Sequence, residues 1–94
     1  MAEKPWLGQY DPDVPHSLHP YPDKTLLDYL DALAREQSTR PALLFKGAEV
    51  SYGQLQREST AFAAALAALG VRHGDRVALI LPNCPQFFVA EIGA

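Results

Sequence analysis

The chain has 94 residues, 48% of them apolar and 20% charged, with a formal net charge of −3. That leaves room for one small domain and excludes the clustered positive charge that nucleic acid or an anionic membrane surface requires. A single cysteine, Cys84, excludes an internal disulfide framework, Met1 to Pro5 lacks the apolar core of a signal peptide, and no apolar run approaches the roughly 20 residues of a bilayer span.

Residues 1–24 stand apart from the rest. "KPWLGQYDPDVPHSLHPYPDK" carries prolines at 5, 12, 15, 20 and 22, with Trp6, Tyr10 and Tyr21 between them. Proline fixes its own φ and pushes the preceding residue towards extended conformations, so an extended arm is expected here instead of a long helix or a central strand. The anchors Trp6, Leu7, Tyr10, Leu18 and Tyr21 predict that this arm lies on a surface. A disordered leader is the equal alternative, because termini are the usual sites of disorder. His16 and His19 form an H-x-x-H beside Asp11 and Asp13, which raises a metal site. The spacing is loose and no third ligand is fixed, so a solvated arm accounts for them better.

Helical periodicity begins at Thr25. In "TLLDYLDALAREQ", Thr25 is a candidate N-cap with Asp28 three residues on, a capping-box-like start. Leu26, Leu27, Leu30, Leu33 and Ala34 share one face, while Asp28, Asp31, Arg35 and Glu36 fall outside it. Pro41 closes the "STRP" stop. "ALLFKGAEVSY" predicts a hairpin: Ala42 to Phe45, a two-residue turn at Gly47-Ala48, and a return through Glu49 and Val50.

Ser51 caps the longest predicted helix, with Gln54 completing a second capping box. Tyr52, Leu55, Ser59, Phe62, Leu66 and Leu69 form its apolar stripe. Ala61, Ala63, Ala64, Ala65, Ala67 and Ala68 thin its second half and predict a close approach to a neighbouring element. Gly70, followed by Val71, sits where a Schellman-type stop belongs. After "RHGD", the five apolar residues 77–81, "VALIL", predict a strand covered on both faces. Pro82 ends it, Asn83 or Cys84 caps the next helix, Pro85 occupies its first turn, and Phe87, Phe88, Val89 and Ile92 form its apolar side. Hairpin, helix, buried strand, helix is the opening of an α/β domain with a largely parallel sheet. The next expected element, a second parallel strand after a right-handed crossover, is not in the sequence.

Residue chemistry assigns no catalytic, cofactor-binding or metal residue. Cys84 lies at a strand-to-helix junction, yet "LPNCPQ" lacks the small flanking residues of a nucleophile elbow, and a small thiol filling space is the better account. His73 has no nucleophile or orienting acid placed with it. Asp75 and Arg76 are expected to pair with each other or with neighbours as turn charges. Gly70 and Gly74 are isolated, and neither a phosphate-binding loop nor a dinucleotide pattern occurs.

Taken together, "SYGQLQ", "LAALGVRHGDRVALILPNCPQF" and the final "IGA" resemble the N-terminal region of the adenylate-forming, AMP-binding enzymes. With "HSLHPYPDKTLLDYL" upstream, the chain most resembles bacterial long-chain fatty acid–CoA ligases, over about residues 14–94. The resemblance implies a two-step ligase that uses ATP, magnesium and coenzyme A to turn a fatty acid into its thioester through an acyl-adenylate. It also implies that residues 25–94 are an incomplete start of the large N-terminal domain. The phosphate loop, nucleotide motifs, acyl tunnel and catalytic lysine of such enzymes lie beyond the matched region. No site residue is therefore carried over, and this segment is expected to be inactive and to bind no cofactor itself.

Three further expectations accompany that reading. The arm, residues 1–22, is a candidate homodimer contact in the full enzyme. The compartment is cytoplasmic, with the full-length enzyme at most peripheral to the inner membrane. The unpaired edge beside 77–81 and the apolar face of the last helix should be exposed. The alternatives are another acyl-adenylate-forming ligase, for a medium-chain or aryl acid or luciferase-like, and a stand-alone interaction module that melts cooperatively.

Overall fold

The computed structural model describes residues 3–94; the first two positions of the arm lie outside the described residues. The arm begins with one 3-10 turn, Pro5–Gln9, started by Pro5. From there to Thr25 the chain has no regular structure. Trp6, Tyr10, Leu18 and Tyr21 are all exposed, and the ring contacts that Tyr10 and Tyr21 make, with His16 and His19, lie within the arm itself.

Helix α1, Leu26–Glu36, starts as the sequence dictates. Thr25 Oγ1 accepts from the Asp28 N–H, and Asp28 Oδ2 accepts from the Thr25 N–H, so two otherwise orphaned donors are satisfied reciprocally. Leu30 and Ala34 are buried, whereas Leu26 and Leu27 remain exposed on the predicted apolar face. Its contact with the second α-helix centres on the buried Leu30 and Ala34, and Gln56 Nε2 of that helix donates to Asp31 Oδ1 at 2.9 Å beside them.

Strands β1, Pro41–Phe45, and β2, Ala48–Ser51, form a two-stranded antiparallel hairpin with a register shift between Pro41 and Leu43. Phe45 pairs with Ala48, so the turn is Lys46-Gly47, one residue earlier than expected. Both turn residues have positive φ, 48° and 83°. That pair of left-handed conformations is the type I′ arrangement, whose twist matches the strands, with Gly47 at its second position.

Helix α2, Tyr52–Ala68, follows without a break. The Ser51 hydroxyl accepts from the Gln54 N–H, while the carbonyls of Arg40 and Ser38 accept from Tyr52 and Gly53, so the first three helical N–H groups all find partners. The Gln54 side chain does not close the second capping box; it donates to Glu58 one turn on. The far end is a complete Schellman stop: Gly70 N–H donates to Ala67 and Val71 N–H to Leu66. Arg72 reinforces it by donating to the carbonyls of Ala67 and Val71.

Helix α3, Pro85–Gly93, packs on α2, which also carries α1 and the hairpin. Cys84 is its N-cap residue by backbone geometry, with no side-chain capping bond. α2 and α3 approach closely where Gly93 lies against Ser59 and Phe62. Ala61, Ala64, Ala65, Ala67 and Ala68 face solvent.

The largest departure is residues 77–81. They form no strand; the segment runs extended without a ladder, with Val77, Ile80 and Leu81 exposed, Ile80 at 94%. A strand is defined by its neighbour, and among the described residues no second backbone lies alongside to accept these hydrogen bonds. The result is an underfilled core. Leu30, Ala34, Leu55 and Ala90 are the buried apolar residues among those described. The chain exposes 7947 Å² where a folded monomer of this mass would expose about 5,400 Å². Its radius of gyration is 18.1 Å against roughly 12–13 Å for a compact domain of this length.

Candidate functional site

The main concavity is a groove of about 750 Å³ between the extended segment and the α2–α3 pair. Val50, Gln54, Glu58 and Phe62 form one wall, Pro85, Gln86, Val89 and Ala90 a second, and Ala78 to Leu81 the third. Helical spacing explains the first wall, since positions 54, 58 and 62 recur every four residues along α2. The α2–α3 contact then fixes the second wall relative to the first.

The groove is mostly apolar, and its one charged group is the Glu58 carboxylate, itself bonded to Gln54. No lysine or arginine lines it. A triphosphate or the phosphates of coenzyme A need cationic groups or oriented backbone N–H groups, and a magnesium ion needs several oxygen ligands. The groove lining offers no cationic side chain of that kind and a single carboxylate. What the groove can accept is apolar surface, and the adjoining backbone of 77–81 can accept a strand.

The other candidate residues are scattered. His16 meets Tyr10 edge-on at 5.7 Å between ring centroids, and His19 lies against Tyr21 at 4.1 Å, so each imidazole has an aromatic neighbour within the arm. The described residues contain no group of three or more His, Cys, Asp or Glu placed to hold a metal ion. Cys84 is half-buried beside a cleft of about 200 Å³ formed by Leu43, Leu44 and Phe45 of β1 with Pro85 and Phe88. Neither an acid nor a base shares that cleft. Asp75 accepts from the Arg72 N–H at 2.7 Å, so its partner is the backbone that closes α2, not Arg76. No described helix is long and apolar enough to cross a membrane.

Sequence reasoning missed two residues that shape the groove, Ala90 and Gly93. Ala90 is buried against α2, and a β-carbon at Gly93 would lie 2.7 Å from the Ser59 carbonyl oxygen. The signal was present as two small residues three apart on α3, spaced to share one face of the helix.

The family model for the AMP-binding enzyme matches residues 30–94. The long-chain-fatty-acid–CoA ligase of Bacillus subtilis (strain 168) is 38% identical over 93 residues, which is 99% of this chain and 16% of that protein. The enzyme of the same name from Salmonella typhimurium is 37% identical over 92 residues, 97% of this chain and 16% of its own length. A crotonobetaine/carnitine–CoA ligase from Salmonella paratyphi A is 40% identical over 74 residues, 68% of this chain and 14% of its length. No solved structure matches. The chain thus spans about a sixth of the length of the curated relatives it matches.

Proposed function

The chain belongs to the AMP-binding enzyme family, and from that membership we propose that it is the N-terminal portion of the large domain of a long-chain fatty acid–CoA ligase. The observation that carries the choice of branch is the arm. The family model begins at residue 30 and the crotonobetaine/carnitine ligase covers 68% of the chain, whereas the long-chain ligases align with 97–99% of it. Nearly all of the proline–aromatic arm is therefore shared with the long-chain enzymes.

In this reading the whole protein joins a fatty acid to coenzyme A at the expense of ATP. A carboxylate oxygen attacks the α-phosphorus and pyrophosphate leaves. The thiolate of coenzyme A then attacks the acyl carbon, and AMP leaves. Magnesium would supply neutralisation of phosphate charge, bound by residues outside this chain. The role of these 94 residues is architectural: they present an apolar groove and an unpaired extended segment, 77–81, which further strands of the same domain complete as a buried strand. The excess exposed surface and the nearly bare Ile80 support that role.

The arm has a second task in this proposal, as a contact between two copies of the full enzyme. The exposure of Trp6, Leu18 and Tyr21 supports it, since each leaves more than half of its surface uncovered.

The test is a chimera in which residues 1–94 replace the matching region of the Bacillus subtilis ligase. The chimera should form palmitoyl-CoA with release of AMP and pyrophosphate, and the 94-residue chain alone should form none. A soluble, folded chimera without ligase activity would overturn the assignment.

A further inference from the structure

We draw no further inference here: the strongest candidate, the apolar groove between the extended segment 77–81 and the α2–α3 pair, belongs to the site already described.

Discussion

Gly93 of α3 sits against the backbone of Ser59 on α2 so closely that an added β-carbon would come within 2.7 Å of the Ser59 carbonyl oxygen and 3.0 Å of the Phe62 ring. The obstacle is backbone, which cannot rotate away, so Gly93→Ala must lever α3 off α2. We expect a loss of about 1–3 kcal/mol, the usual range for overpacking, read as a lower urea midpoint by far-UV circular dichroism. An unchanged midpoint would show that the two helices are not held in this register. Ser59→Ala is the control at the same contact. Its hydroxyl is buried with no hydrogen-bond partner among the described residues, so its removal should be neutral or slightly stabilising.

Leu55 and Leu69 lie on one apolar stripe of α2 but differ in burial, at 4% and 82% exposed. Leu55→Ala should cost about 2–4 kcal/mol through lost burial and a cavity. Leu69→Ala should change stability by less than about 0.5 kcal/mol. Equal effects at the two positions, measured by the same titration, would contradict the packing described.

Ile80 distinguishes the isolated segment from the whole enzyme. In the 94-residue chain, Ile80→Lys should leave the urea midpoint within about 0.5 kcal/mol, because the side chain touches almost nothing. In the ligase chimera the same change would place a charge inside a completed sheet, and activity should fall at least tenfold, by order of magnitude, as the domain misfolds. Full activity in the chimera would mean that 77–81 does not become a covered strand.

Deletion of residues 1–22 tests the arm in the same two settings. The hydrogen bonds among the described arm residues are local, such as Ser17 Oγ accepting from the His19 N–H, so the isolated chain should keep its midpoint. The chimera should pass from dimer to monomer by light scattering. A dimer that survives the deletion removes the arm from the interface.

What the sequence disclosed follows from how local each determinant is. The Thr25–Asp28 capping box, the Ser51 cap and the Gly70 stop each depend on residues within a turn of one another, and all three stand where the spacing placed them. The hairpin is legible too, but its turn lies one residue earlier than Gly47-Ala48: a single glycine fits either the first position of one turn type or the second of another, and the structure uses the second, with Lys46 also at positive φ. Burial was harder to read. Leu27 and Leu69 fit their helical stripes yet remain outside, since a stripe states which face is apolar and not how far a neighbouring element reaches along it. The 77–81 segment shows the difference between composition and pairing: apolarity predicts that a strand will be covered, but only another stretch of backbone can make it one. Family membership was legible from "GDRVALILPN" and its neighbours, whereas the groove itself required the α2–α3 contact through Ala90 and Gly93.

The clasp at the end of α2 bears on how easily that missing ladder could form. Asp75 holds the Arg72 N–H, Arg72 holds the carbonyls of Ala67 and Val71, and α3 is anchored on α2 just beyond Pro85. Residues 77–81 are thus a short span pinned at both ends, with far fewer conformations than a free tail of equal length. Ordering an unrestrained residue costs about 1–2 kcal/mol in backbone entropy. Part of that cost for the span is already met by contacts made inside these 94 residues. An incoming strand would therefore meet a template whose position is set in advance, and its hydrogen bonds would go towards binding instead of towards straightening the chain they bind.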